Sequence, residues 1–81
     1  MVMRVGDVAV QELTRGLKAI SDPTRLRILR VLTHGELRVG EIVDLLEIGQ
    51  SRVSRHLKIM EEAEILTARR EGMWMYYSID T

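Results

Sequence analysis

From Gln50 to Lys58 the chain reads QSRVSRHLK, and every polar side chain in the run is a cation, an amide, a hydroxyl or an imidazole. Arg52, Arg55 and Lys58 carry positive charge, Gln50, Ser51, Ser54 and His56 carry hydrogen-bonding groups, and no carboxylate intervenes before Glu61. A guanidinium holds two acceptors in one plane, a glutamine amide pairs a donor with an acceptor, and Ser or Lys suits a single anionic oxygen. This is equipment for recognising a planar, anionic partner. Bond-breaking chemistry is not indicated, because neither Ser51 nor Ser54 has an organised base and orienting acid in the sequence. A charge run on a helix is most often only a solvated face. Two features set this one apart: the start of a helix ordinarily favours acids, which are missing here, and a second basic pair, Arg69-Arg70, follows.

Composition narrows the classes. Lys and Arg number 12 and Asp and Glu number 12, so a generic polyanion binder is disfavoured. A polarised one is not, since the field depends on where the charges sit. The absence of cysteine excludes a disulfide framework and any thiolate metal or redox site. The two histidines, His34 and His56, fall in different segments with no ligand cluster about either, whereas a metal site needs about four ligands. His34 suits a helix end, where a cation is favourable, and His56 a groove-facing or packing position. The five methionines read as core filler or interface. No phosphate loop, nucleophile–base pair or paired-carboxylate site is present, so the expectation is a non-enzyme without cofactor or metal. No stretch approaches the ~18 apolar residues of a membrane span. The opening MVMRVGDV lacks a signal peptide's apolar run, so the expected location is cytoplasmic. At 81 residues the chain is one small domain with a modest core.

The elements that must position the basic run follow from periodicity. Ala9, Leu13, Leu17 and Ile20 repeat at helical spacing and predict a first helix over about 8–20, able to cover the core or to pack on a second subunit. Asp22-Pro23 is a helix start, with Asp as N-cap and Pro in the first turn. Leu26, Ile28, Leu29 and Leu32 give that second helix a wide apolar face, Arg27 and Arg30 lie on its polar side, and Gly35 closes it. ELRV reads as a very short strand. Val39, Ile42, Val43 and Leu46 then mark a third helix, and Val53, Leu57 and Met60 are the apolar stripe of a fourth, over about 50–64. Only Ile48 and Gly49 separate these two, which is a helix-turn-helix arrangement. From about 66 to 79, β-branched and aromatic residues flank Glu71-Gly72, predicting a β-hairpin with Gly72 at positive φ. Along it Trp74 and Tyr76 should face one way and Met75 and Tyr77 the other, with at least one aromatic supporting the hairpin against the core. The expected fold is mainly α with a small β-hairpin, a single winged helix-turn-helix domain over 1–81.

That fold explains the basic run. A helix about 10–12 Å across fits a DNA major groove about 12 Å wide, and the second helix of the motif enters it N-terminus first. Arg reads guanine bidentately and Gln can read adenine, while Ser54 and Lys58 suit phosphates. Arg69 and Arg70 would touch adjacent backbone from the wing.

The segments SDPTRLRILRVL, GELRVGEIVDLL, QSRVSRHLKIMEEAEIL and ARREGMWMYYSI resemble, in order and spacing, the ArsR family of winged-helix repressors across roughly residues 15–79. The resemblance implies a homodimer that binds operator DNA and, in many members, releases it on a signal. It implies a recognition helix bearing Gln50, Ser51, Arg52, Ser54, Arg55 and His56, and a wing over Arg69 to Met73. Three departures stand out. Arg38-Val39-Gly40 replaces the Cys-Val-Cys of metal-sensing members. Gly49 replaces a common Ser ahead of the recognition helix, with Ser51 where Pro is frequent. The chain stops at Thr81, where related repressors usually continue into a further helix. The expectation is a dimeric repressor of a palindromic double-stranded operator, joined through the first helix, with the spare apolar residues Val2, Val5, Val8 and Val10 as added interface. The alternative is a winged-helix regulatory or protein-interaction domain of a larger polypeptide, such as an enzyme fusion. The non-acidic start of the fourth helix together with Arg69-Arg70 separates the two, since a protein-binding module would not need both.

Overall fold

Asp22 starts the central helix as its chemistry requires. Its carboxylate accepts from the backbone N–H of Thr24 at 2.7 Å and of Arg25 at 3.4 Å, and Pro23 occupies the first turn. In the computed structural model, which describes residues 5–80 and side chains from residue 8, the chain runs α1 (Val5–Ile20), α2 (Pro23–Leu32), β1 (Leu37–Arg38), α3 (Val39–Leu46), α4 (Gln50–Glu62), β2 (Leu66–Glu71) and β3 (Trp74–Ile79). This is a winged helix-turn-helix.

The core is one cluster: Ile28 and Leu32 from α2, Ile42 and Leu46 from α3, Val53, Leu57 and Met60 from α4, and Leu66 from β2. Each helix contributes residues three, four or seven apart, which share one face of a 3.6-residue repeat. In α2 the buried residues are Thr24, Ile28 and Leu32. Leu26, expected in the core, lies opposite Ile28 and is half exposed.

Local backbone geometry sets the angle between α3 and α4. Glu47 closes α3 in the left-handed conformation at φ 57°, so the turn holds Glu47, Ile48 and Gly49 rather than Ile48 and Gly49 alone. Gly49 is the N-cap of α4 with no side-chain bond. Arg27 seals the end of α3 from outside it, donating from Nη2 to the Leu46 carbonyl at 3.1 Å. At the far end α4 stops at Glu62, two residues short of the expected boundary, because Glu64 turns left-handed at φ 61°. Gly35 has the positive φ its closing position needs, at 136°. His34 is exposed, and the cap of α2 is Thr33, whose hydroxyl donates to Arg30 O at 2.6 Å.

The three strands form an antiparallel sheet in the order β1-β3-β2. The β2-β3 register pairs Glu71 with Trp74 across the turn, where Gly72 has φ 61°. The short strand expected at ELRV is β1, and it pairs Leu37 with Tyr77 and Arg38 with Tyr76. Tyr77 and Ile79 pack against the core and anchor the hairpin.

The first helix departs from expectation. Leu13 and Leu17, read as able to cover the core, are 65% and 55% exposed, and Val10 is 63% exposed. By helical periodicity these three share one side of α1, while Ala19, the one described side chain of α1 that is buried, faces nearly the opposite way. The side of α1 that carries Arg15 and Ala19 meets α2 and the end of α4, and the apolar stripe looks outward. The leader residues Met1 to Arg4, including Val2, lie outside the described residues, as does the side chain of Val5.

Candidate nucleic-acid interface

Burial of Val53, Leu57 and Met60 fixes the rotation of α4, and that rotation decides which polar residues look outward. Gln50, Ser51, Arg52, Ser54, Arg55 and Lys58 are all exposed. Arg52, Arg55 and Lys58 take part in no ion pair among the described residues. The first turn of α4 holds no acid, so the positive end of the helix dipole and its free N–H groups add to the side-chain charge. This face has donors ready for base edges and phosphates, and among the described residues no ion-pair partner competes for them.

His56 does not belong to that face. It is buried at 6% exposure, and its Nδ1 accepts a hydrogen bond of 3.1 Å from Arg25 Nε. Expected at a groove-facing or packing position, it is a packing residue. The cause is its spacing: three residues after Val53 and four before Met60, it falls within the apolar stripe. Burial lowers its pKa below the ordinary histidine value. Asp22 opposes that, and the charges of Arg25, Arg52 and Arg55 reinforce it. The ring is therefore neutral near pH 7, with Nδ1 free to accept.

Arg25 is a residue that the sequence reading missed. Besides its bond to His56, its Nη1 donates to the carbonyls of Lys18 at 3.3 Å and Ala19 at 3.2 Å. One guanidinium thus joins the end of α1, the start of α2 and the middle of α4. Its position in the first turn of a helix capped by Asp22 was the available signal, but the His56 partner is distant in sequence.

The wing separates two arginines that were expected to act alike. Arg69 is exposed but paired: Nη2 lies 2.6 Å from Glu36 Oε1, Nη1 lies 2.7 Å from Glu71 Oε2, and the guanidinium sits 4.7 Å from the centre of the Tyr76 ring. Both carboxylates raise its already high pKa. Arg70 is exposed, with only a 3.3 Å bond from Nε to the Gly72 carbonyl at the turn. Arg38 was also missed as a wing residue. It stacks 4.5 Å from the centre of the Trp74 ring and bonds to Glu41 from Nε at 3.3 Å. The alternation expected of the strand holds at its aromatics: Trp74 and Tyr76 meet the two arginines while Tyr77 turns to the core. Met73, at the tip, is 81% exposed. Among the described residues, no three His, Asp or Glu side chains come together as a candidate metal site.

The sequence model described as "Bacterial regulatory protein, arsR family" matches residues 22–68, from the cap of α2 into the wing. The chain belongs to the ArsR family. It is 42% identical to the transcriptional repressor SdpR of Bacillus subtilis, over 79% of this chain and 71% of that protein. A homodimeric winged helix-turn-helix DNA-binding domain from Mycobacterium bovis, described as a possible ArsR-family regulator, superposes with a TM-score of 0.91 at 28% identity, over 100% of this chain and 77% of that one. Reduced HlyU from Vibrio cholerae gives 0.84 at 29% identity, over 98% and 83%. As an ArsR-family winged-helix protein the chain is a DNA-binding transcriptional regulator, not an enzyme.

Proposed function

We propose that this ArsR-family protein represses transcription as a cytoplasmic homodimer on a palindromic double-stranded operator, the residues from α1 through the wing acting as one winged domain. The observation that carries the reading is the outer face of α4 ahead of Glu61, which holds no acid and where Gln50, Ser51, Arg52, Ser54, Arg55 and Lys58 are exposed together. Gln50, Ser51 and Arg52, on the first turn, enter the major groove and meet base edges, with Arg52 and Gln50 as the readers of sequence. Ser54, Arg55 and Lys58 hold the backbone. In the wing, Arg70 meets phosphate while Arg69 braces the hairpin through Glu36 and Glu71. His56 supports α4 from within and makes no contact with DNA.

The outward stripe of Val10, Leu13 and Leu17 supports dimerisation through α1, since contiguous exposed apolar surface usually marks an interface. A two-fold axis there sets two recognition helices about one DNA turn apart, ~34–36 Å, or a multiple of it. Arg38-Val39-Gly40 offers no thiolate, so repression does not depend on a cysteine-bound metal.

Selection of bound duplexes from a random pool tests this. The expected product is an inverted repeat with half-sites spaced by a whole number of helical turns. Affinity for it should fall with salt by a slope of about −0.9 per phosphate neutralised. Recovery of single half-sites without symmetry, or binding indifferent to salt, would overturn the proposal.

A further inference from the structure

Behind the recognition helix, on the side away from its N-terminal turns, α1, α2 and the last turns of α4 border an open concavity of about 350 Å³. That volume lies at the lower end of the range for small-molecule sites, roughly 300–1,000 Å³. Its apolar wall is made by Ala19, Ile59 and Ala63. Three cations border it, Arg15, Lys18 and Arg25, against one carboxylate, Glu62. Arg15 and Lys18 have no ion-pair partner among the described residues. Arg25 spends Nε on His56 and Nη1 on two carbonyls, which leaves Nη2 without a bond among the described residues. In a chain of zero net charge, such a local excess of unpaired cations beside an apolar wall favours an anion with an apolar body. The cavity lies on a different side of α1 from the stripe of Val10, Leu13 and Leu17, so a second copy seated on that stripe leaves it open.

We propose that this cavity binds a small organic carboxylate with a short apolar body, and that Arg25 reports its occupation to the recognition helix through His56. The apolar body lies against Ala19, Ile59 and Ala63. The carboxylate takes the Nη2 donors of Arg25 together with Lys18 or Arg15, since a guanidinium has five N–H donors and can serve several acceptors at once. Moving or stiffening Arg25 changes the bond that its Nε makes to a buried imidazole in the middle of α4. The regulatory consequence rests on the DNA-binding reading; the binding and its transmission to His56 do not.

Hexanoate is a suitable probe, with hexan-1-ol as its uncharged control, in a methyl and imidazole NMR titration of the DNA-free protein. Hexanoate should shift the methyls of Ala19, Ile59 and Ala63 along a saturating curve with a dissociation constant on the order of 1 mM. The His56 ring resonances should follow the same curve, although His56 does not line the cavity. Hexan-1-ol should bind on the order of tenfold more weakly, and the double variant Arg15→Gln/Lys18→Gln, at exposed positions, should remove most of that difference while leaving the amide spectrum of the core in place. Equal binding of acid and alcohol, hexanoate binding unaffected in the double variant, shifts centred on Val10, Leu13 and Leu17, or unmoved His56 resonances would each overturn the proposal.

Discussion

His56 sits one helical turn from the exposed Arg52 yet makes its bond inward, and that placement gives it a pH signature. Its folded pKa lies below the ordinary value, chiefly through burial, while in the unfolded chain it titrates near 6.5. Between those two values the unfolded state binds more protons, so stability rises with pH across that window. The contribution is complete above about pH 6.5 and is lost as pH falls through the lower folded pKa. Urea midpoints for the wild type and for His56→Gln, whose amide oxygen can still accept from Arg25, should therefore converge as pH drops from 7.5 to 5. Parallel curves would show that His56 does not titrate on unfolding. The outward residues behave differently. Arg52→Ala or Gln50→Ala should reduce preference for the selected operator over scrambled duplex by about 1–3 kcal/mol, with smaller change in binding to random DNA. If both variants keep the wild-type ratio in competition assays, base reading lies elsewhere on α4 or in the wing.

At the level of elements, the divided roles of Arg69 and Arg70 make the wing testable. Arg70→Ala should weaken binding to all sequences nearly alike and flatten the salt slope by about one unit. Arg69→Ala removes the links to Glu36, Glu71 and Tyr76, so its effect should appear as faster amide exchange across β2 and β3. If Arg69→Ala instead leaves exchange unchanged and flattens the salt slope as Arg70→Ala does, Arg69 is a phosphate contact. Much of this architecture was legible beforehand. Asp22-Pro23 announces the start of α2 because capping is local chemistry, and Val53, Leu57 and Met60 orient α4 because burial follows period. The two left-handed glutamates, Glu47 and Glu64, were not legible, since nothing in a glutamate signals that conformation. Nor were the stacking of Arg38 on Trp74 and the triple role of Arg25. The stacking on Trp74 and the bond to His56 each depend on a partner more than 30 residues away, brought near only by the β1-β3 pairing and by the packing of α2 on α4. For His56 the sequence left two positions open, groove-facing by its polarity and packing by its place in the stripe, and the stripe decides.

For the whole molecule the decisive feature is what α1 leaves uncovered. Within one chain, α1 buries Ala19 and turns Val10, Leu13 and Leu17 to solvent. A 16-residue helix whose main apolar stripe faces solvent gains little from the core, because most helical stability in proteins comes from packing an amphipathic face. A second copy supplies such a packing surface, and a two-fold contact places the same three residues against each other. Association and ordering of α1 should therefore be coupled. Sedimentation over a wide concentration range should show a monomer–dimer equilibrium, with helical content rising as the dimer forms. Leu13→Glu should shift the midpoint at least tenfold toward monomer, since burying an unpaired carboxylate opposes contact, while the core of α2, α3 and α4 keeps its fold. The same variant should bind an isolated half-site nearly as well as wild type and lose the gain from the second half-site, because the dimer makes the second contact intramolecular. A strict monomer at high micromolar concentration, with wild type and Leu13→Glu indistinguishable on the palindrome, would assign the outward face of α1 to something other than a second copy of this chain.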